Sequence, residues 1–364
     1  MEMILHIFDE DINLIGMLDN YISLKWTEDY FDRGSFTLVC GDTEKNIKLL
    51  QENYFIYKKG KNTAMIIRYI QYNNENHTIE VNGYTTLSLI EQRIVYPMQR
   101  IKSVEEGMYQ LVEEAFQSSK DRLIESISTE RITNGLKGYE EEHETKFVGE
   151  NLLLALTTLG AESEIGFFMK FDYHQKKHIF TAYKGLDRTF GQKENAPAVF
   201  STEFGNLKST IILKDQSIFR NVAYVLGEDK EGEEKVILVG NNQGLDRYEV
   251  FVDCKSIQKE TTNENGDKII LTEQEYEELL SVKGIEKLNE YLKVVNFSGE
   301  VDALKFGTEY YLGDKVSCKS DKYKMRIDAR IMQYTEVTEN NITSLSVQLG
   351  EPEITFMQEV KTWL

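Results

Sequence analysis

Cysteine, histidine and proline are scarce in this sequence. The three cysteines are too few and too scattered for a disulfide framework or a zinc site, and we expect them to be small buried residues. The three prolines come without any glycine-rich or serine-rich linker, so domains should be joined by short, ordered crossings. No apolar run approaches the ~18 residues of a membrane helix, and the acidic start around Glu2 is unlike a signal peptide. We therefore expect no membrane insertion and a chain kept in a cytoplasm.

Basic residues are also fewer than acidic residues. The 42 Lys and Arg residues oppose 61 Asp and Glu residues, which leaves a formal net charge of −19. A surface that clamps a phosphate backbone needs clustered Lys and Arg, so tight binding of nucleic acid is not expected. Apolar residues, by contrast, make up 41% of the chain and include 18 Phe and 20 Tyr. At roughly 100 to 200 residues per domain, the chain can form two or three packed units.

Residues 1–100 alternate between apolar and polar positions, which is the pattern of half-buried strands. Between Gln71 and Val81 a polar run separates two alternating segments, and this favours a hairpin. We predict that residues 1–100 form a first tube-like β domain, a small antiparallel barrel or sandwich.

Residues 101–200 are predicted to be a helical crossing followed by an α+β insert. Ser103 and Glu106 have the spacing of a capping box and open a helix of about four turns. A second apolar helix is predicted at about 151–159, with Gly160 as its stop. Strand patterns follow at 165–172 and 178–183.

Alternation resumes over residues 201–350, which we predict to form a second tube-like β domain. A helix interrupts this domain at about 272–293, and a capping box of Thr272 and Glu275 marks its start. Residues 351–364 are assigned to a C-terminal tail.

A search for catalytic motifs finds none, since the chain lacks GxSxG, HExxH, GxxxxGK[ST], GxGxxG and CxxC. His174 and His178 are four residues apart, but the segment between them has the composition of a hairpin tip, where this spacing does not form a metal site. His143 lies in the acidic run Glu140–Glu144, which we expect to be a solvated loop. We predict no catalytic, cofactor or metal site, and no enzyme activity.

The abundant carboxylates keep one alternative open. A carbohydrate-binding or cell-wall-active module would need paired carboxyl groups in a cleft and exposed aromatic side chains, for which Trp26 and the tyrosines are candidates. At strand spacing, such aromatic residues more often belong to a core or an interface.

Three stretches resemble phage tail hub proteins. The first, S-L-K-W-T-E-D-Y-F-D-R-G-S-F-T-L-V from Ser23, resembles the W-x-x-x-Y-x-x-x-G-x-F-x-L pattern that opens hubs of the siphophage and prophage branch. The residues at the pattern positions are Trp26, Tyr30, Gly34, Phe36 and Leu38.

The second stretch, G-N-L-K-S-T-I-I-L-K-D-Q-S-I-F-R-N-V-A-Y-V-L-G-E from Gly205, is similar to the start of the second tube domain in that family. Its matching residues are Asn206, Asn221 and Gly227. The third, Y-Y-L-G-D-K-V, is similar to the L-G-D-x-V turn before a late strand in hub barrels. There, Gly313 and Asp314 suit a tight turn with a positive φ.

The resemblance spans nearly the whole chain and implies an α+β, β-rich fold: two tube-type antiparallel β-barrel domains with an α+β insert and helical connections. It implies a homotrimeric structural hub that closes the distal end of the tail tube as a ring. The implied partners are the distal tail protein ring or tail tube protein, the tape measure protein, and a tail fibre or spike. DNA would pass through without tight binding. The implied location is the virion tail tip or baseplate, after assembly in the host bacterial cytoplasm.

Many hubs carry a C-terminal peptidase or receptor-binding module. This sequence ends at Leu364, shortly after the last strand pattern, so no lytic activity is expected. A hub of a bacterial contractile injection particle is a further alternative, with the same ring and a different cargo.

We also expect the two β domains to lie side by side, giving six similar units around a threefold axis. An acidic channel would repel DNA and allow its transit, so we expect a net negative channel wall.

Overall fold

The computed structural model describes residues 4–118, 120–131, 145–230, 233–262, 268–291, 294–301, 305–339 and 342–350. The chain folds as two compact units, and the first comprises Met1–Ile211 with Asn296–Leu364. The second comprises Ile212–Val295. Within the described ranges, no helix is long and apolar enough to span a bilayer. The predicted tail at 351–364 and the acidic run Glu140–Glu144 lie outside the described residues.

The first part of the chain consists mainly of strands, as its alternating pattern predicts. In the strand Thr78–Thr85 every second residue is buried, so one face of the strand packs on the core. The hairpin predicted at 71–81 is present, with Asn73 paired to Thr78. The elements are β1 (Leu5–Phe8), β2 (Leu14–Leu18), β3 (Tyr21–Asp29), β4 (Ser35–Gly41), α1 (Glu44–Leu49), β5 (Phe55–Lys58), β6 (Met65–Asn73), β7 (Thr78–Thr85) and a 3₁₀ helix at Thr86–Gln92.

The predicted insert contains two helices that pack around one apolar core. Its elements are β8 (Gln99–Ile101), α2 (Val104–Gln117), β9 (Ile127–Thr129), β10 (Thr145–Phe147), α3 (Leu152–Ser163), β11 (Gly166–Asp172), β12 (Lys177–Tyr183), β13 (Asp187–Arg188) and β14 (Val199–Ser201).

Both helix boundaries of the insert differ in detail from the prediction. Ser103 is the N-cap of α2, but its side chain makes no capping bond. The carboxylate of Glu106 instead accepts two bonds from Arg131, at 2.7 and 3.1 Å, so the capping box does not form. Gly160 does not stop α3, which continues to Ser163 and ends at Glu164 in the left-handed conformation.

The second unit is a three-stranded sheet covered on one face by a helix. The apolar side chains of Ala223 and Val225 pack with Tyr276 and Leu280 of that helix. The capping box predicted at its start is present: Thr272 and Glu275 exchange bonds of 3.3 and 2.8 Å. The elements from the entry into this unit are β15 (Leu207–Asp215), β16 (Val222–Lys230), β17 (Glu233–Val239), a 3₁₀ helix at Gly244–Asp246, β18 (Glu249–Asp253), β19 (Glu260–Thr262), β20 (Lys268–Ile270) and α4 (Glu273–Asn289).

One sheet in the first unit joins the beginning of the chain to its last strands, which are β21 (Val294–Val301), β22 (Lys315–Ser320), β23 (Met325–Glu339) and β24 (Ile342–Leu349). Its order is β15-β21-β24-β23-β3-β4-β7-β6-β5-β1-β2, and β22 pairs with β23, β13 and β14. The β-rich α+β class is therefore confirmed. The structure adds that β3 has two partners, β4 and β23, so the early and late strands share one sheet. Among the described strands this sheet is open, with ends at β2 and β15.

Candidate functional site

Tyr30 follows β3 and is fully buried at the centre of the first unit. Its hydroxyl lies 3.1 Å from the carbonyl oxygen of Glu164 and 3.2 Å from that of Tyr183, and it accepts a bond from the amide of Gly185 at 3.2 Å. These three partners all belong to the insert. Tyr30 thus ties the first β stretch to the insert.

The ring of Tyr30 also lies against two glycines. A Cβ atom on Gly166 or on Gly313 would overlap the ring atoms. Arg330 of β23 extends over the same ring, 5.5 Å from its centroid, and donates to the carbonyl oxygen of Gly313 at 2.5 Å and to the carboxylate of Glu164 at 2.6 Å. The early strand β3, the insert and the late turn therefore meet around one aromatic side chain.

Asp314 organises that late turn and is only 2% exposed. Its carboxylate accepts bonds from the amides of Leu186 and Tyr311, at 2.8 and 3.0 Å, and from Nε of Arg188 at 2.7 Å. A buried carboxylate needs such donors, since an unpaired buried charge is strongly destabilising. Asp314 thus holds the segment after β12 against the turn before β22.

A cleft of about 1410 Å³ opens along these residues within the first unit. One wall carries Lys58 and Lys61, at and just after the end of β5. Both lysines pair with the carboxylate of Glu336 from β23. Lys61 also donates to the hydroxyl of Tyr334 at 3.0 Å, and that hydroxyl donates to Glu28. The wall is a network of paired charges that joins early strands to a late one.

Burial shifts the titration of several groups in the cleft. Burial lowers the pKa of the Lys58 amine to about 8. It raises the pKa of the Asp29 carboxyl to about 6, although that carboxyl accepts bonds from the amides of Phe31 and Asp32, each at 3.0 Å, and from the side chain of Gln333 at 3.2 Å. Asp29 is therefore tied into the backbone at the end of β3.

We call the contacts around Tyr30 and Asp314, together with the ion pairs of Lys58 and Lys61, the junction. Its charged side chains pair early strands of the chain with late ones. Trp26 is fully buried and donates to Glu28 at 2.9 Å, so it does not offer the sugar-stacking surface considered from the sequence. In the part of the chain that the structure describes, no three His, Cys, Asp or Glu side chains gather as metal ligands would. His178 is buried against Phe55 and Phe171, with ring centroids 4.9 and 5.5 Å away.

The other motif residues are spread over three places. Phe36 and Leu38 of β4 lie in the same core as Trp26. At Gly34 a side chain would overlap the carbonyl oxygen of Thr27 on the neighbouring strand. Asn206 shapes a turn, where it accepts from the amide of Ser201 at 2.8 Å and donates to the carbonyl of Val199 at 2.7 Å.

Asn221 and Gly227 lie in the second unit. Asn221 bonds the backbone of Asp246 and Tyr248, at 2.8 and 2.9 Å, and so anchors the loop before β18. A Cβ on Gly227 would come within 2.7 Å of Leu280, so the glycine admits α4 to the sheet. Of the sequence-predicted residues, the structure brings Tyr30, Gly313 and Asp314 together.

Several residues of the junction were not found from the sequence. Arg188, Arg330 and Glu336 are ordinary charged residues in strand patterns, and Gly166 stands in a strand without a turn signal. Their roles depend on partners far away in the chain, which no local pattern marks.

A family model described as "Siphovirus ReqiPepy6 Gp37-like protein" matches residues 4–351. By sequence comparison, no curated protein matches the chain.

Solved structures of phage tail proteins share the fold. The tail protein from Neisseria meningitidis MC58 has a TM-score of 0.61 at 10% identity, over 98% of both chains. The 43 kDa tail protein of prophage MuSo2 from Shewanella oneidensis has a TM-score of 0.60 at 10% identity, over 96% of this chain and 98% of the other. Prophage tail protein gp18 from Listeria monocytogenes EGD-e has a TM-score of 0.56 at 11% identity, over 99% of this chain and 98% of the other.

Proposed function

The chain belongs to the Siphovirus ReqiPepy6 Gp37-like protein family, and from this we propose that it is the structural hub of a phage tail tip or baseplate. The observation that carries the proposal is the similarity of fold to tail proteins over nearly the full length of both chains. The charged side chains of the cleft support a structural role, because they form ion pairs with one another within the chain. We propose no enzymatic activity.

In this proposal three copies form a ring that closes the distal end of the tail tube. Residues 1–100 and 201–350 supply the tube-like β parts, and what supports their joint action is that β23 of the later range pairs with β3 of the earlier one. Residues 101–200 form the insert, and three copies present six related β parts around the axis. A protein with threefold symmetry can in this way meet a sixfold tube.

The proposed partners are the distal tail protein ring or tail tube protein on one side, and a tail fibre or spike on the other. The tape measure protein would end at the ring. Assembly would take place in the host bacterial cytoplasm, before the particle is released.

The channel of the ring is proposed to be net negative. Three copies carry a formal charge of 3 × −19 = −57. An acidic wall repels the phosphate backbone and leaves DNA free to move, whereas a basic wall would hold it. Lys substitutions of the carboxylates that line the channel should slow DNA ejection and leave assembly intact.

Labelling of whole particles tests the location. An epitope inserted at the hairpin tip after Asn73 lies on exposed backbone between β6 and β7. We expect antibody-bound gold at the distal end of the tail in electron micrographs. Gold along the tube or at the head would contradict the proposal. Epitope at the tip Tyr173–Lys176 provides a second, independent position.

A further inference from the structure

The amine of Lys58 and the carboxylate of Glu336 are in direct contact in the cleft, although the two residues are 278 positions apart in the chain. Their side chains are only 16% and 12% exposed. The amine contacts Oε1 of the carboxylate, and the other oxygen, Oε2, lies 3.0 Å from Nζ of Lys61. One carboxyl group is therefore held between two amines, in a place that water reaches poorly.

Aromatic side chains and a second carboxylate adjoin this group. Lys61 donates to the hydroxyl of Tyr334 at 3.0 Å, and that hydroxyl donates to Glu28. The ring of Tyr334 is buried and packs against Phe306, with 4.4 Å between the ring centroids. A chain of hydrogen bonds thus runs from Glu336 through Lys61 and Tyr334 to Glu28.

This environment favours the reactive form of the Lys58 amine. Burial, and after it the charge of Lys61, lowers the pKa of Lys58 to about 8. The neutral amine, which is the nucleophilic form of lysine, is therefore accessible near neutral pH. Burial also disfavours the ion pair relative to a neutral amine beside a neutral carboxyl group, because both charges lose their hydration. Transfer of one proton from Lys58 to Glu336 gives that neutral pair.

We propose that Lys58 and Glu336 condense to an isopeptide bond, an amide between the two side chains that joins β5 to β23. Nζ of Lys58 attacks Cδ of Glu336, so that an N–C bond forms and the bond from Cδ to Oε1 breaks. Two protons of the original ammonium group pass to Oε1, which leaves as water. Oε2 stays as the amide oxygen. The step involves no change of oxidation state and no further reactant.

Three features of the site favour this condensation. The amine of Lys61 lies beside Oε2, where negative charge develops during the attack, and stabilises it. The fold holds the reacting groups in contact, so the reaction is unimolecular. The product also removes one positive and one negative charge from a poorly hydrated place, and leaves Lys61 and Glu28 with opposite formal charges.

The bond would close a loop over residues 58–336 and restrict the unfolded chain. The reaction is a single self-modification, and it goes beyond the proposed function without depending on it. Gold label away from the tail tip would remove the proposed function and leave the bond in place. A chain without the bond would leave the proposed function in place.

Mass spectrometry of the full-length protein tests the bond directly. We incubate the folded protein at about pH 9, above the pKa of Lys58, and then denature it. The expected mass is lower than that of the sequence by one water molecule. Trypsin does not cut after a lysine in amide linkage, so it should release residues 49–59 joined to residues 331–361 as one branched peptide. An unchanged mass, or loss of water at other residues, overturns the proposal.

Two variants serve as matched controls. Lys58→Arg keeps the positive charge, but a guanidinium group stays protonated and cannot attack, so this variant should keep its full mass. Lys235 also contacts a glutamate, Glu277, but those side chains are 33% and 46% exposed. Lys235→Arg should therefore lose water as the wild type does. Loss of water from Lys58→Arg, or its absence in Lys235→Arg, contradicts the assignment.

Lys61→Gln tests the mechanism through its pH dependence. The variant lacks the charge that helps to lower the pKa of Lys58, so that pKa should rise. In freshly purified protein, the linked fraction after a fixed time at pH 7 should fall several-fold and recover at higher pH, where the amine is again neutral. A linked fraction equal to that of the wild type at each pH contradicts the mechanism.

Discussion

Tyr30 fills the space that a side chain on Gly313 would need, although the two residues lie near opposite ends of the chain. Gly313 has a φ of 90°, a value that L-residues rarely adopt, and its carbonyl oxygen accepts a bond from Arg330. The late turn can therefore approach β3 closely only because it has no Cβ at this position. This contact helps to hold the early and late strands in one sheet.

Gly313→Ala should destabilise the protein by two effects. The positive φ lowers the free energy of unfolding of the variant by about 1–2 kcal/mol, and overlap with the Tyr30 ring lowers it by about 1–3 kcal/mol more. Gly60 has the same φ of 90° but open space around it, so Gly60→Ala measures the backbone effect alone. Urea unfolding of both variants gives the difference in free energy of unfolding. Equal losses would show that the Tyr30 ring does not restrict this position.

Asp314→Asn should be strongly destabilising. It removes the charge that Arg188 pairs with, and the guanidinium side chain of Arg188 is only 12% exposed. A buried charge that loses its partner lowers the free energy of unfolding by about 3–5 kcal/mol. Asp321→Asn breaks an exposed pair with Lys319 and should cost about 1 kcal/mol at most. Similar losses in the two variants, measured by chemical unfolding, would contradict the structural role of Asp314.

His178 should make the protein sensitive to mild acid. Burial lowers the pKa of His178 to about 4, so the folded state binds its proton less readily than the unfolded state. Its contribution to stability is therefore complete above pH 6.5 and is lost as the pH falls toward 4, by about 2–3 kcal/mol. His178→Phe should remove this loss, whereas His174→Gln at the exposed hairpin tip should retain it. Parallel stability curves for the wild type and His178→Phe from pH 7 to 4 would refute the assignment.

Asp29 should act in the opposite direction over a similar pH range. Burial raises the pKa of Asp29 to about 6, so the folded state binds its proton more tightly than the unfolded state. Stability should then fall as the pH rises from about 4 to 6, by about 2 kcal/mol. Asp29→Asn should abolish this decline, and Asp121→Asn at an exposed position should leave it unchanged. Chemical unfolding of the variants and the wild type at each pH measures the decline, as the difference in free energy of unfolding from wild type.

Local patterns in the sequence predict local structure well. The alternation of apolar residues predicted most strands, and the Thr272 capping box formed because both of its partners lie within one turn. The box at Ser103 did not form, since Arg131, a residue of another segment, binds Glu106. The sequence could not reveal that competition, because it depends on how α2 packs against β9.

The candidate site shows the same limit. The motif around Trp26 and the turn at Gly313 were recognisable by their residues, but their meeting at Tyr30 depends on the pairing of β3 with β23. Arg188, Arg330 and Glu336 carry no signal of their own, because a charged residue at an alternating strand position has the composition of solvated surface. These three residues stabilise the structure because the fold buries them next to their partners, which the sequence does not show.

The most direct test of the account is the number of copies and their symmetry in a cryo-electron microscopy map of the intact tail. We predict three copies of the chain in one closed ring at the distal end of the tube, each with β3 and β23 in a single sheet. A single copy at the tip, or copies arranged along the tube, would contradict the central claim that this protein is the hub.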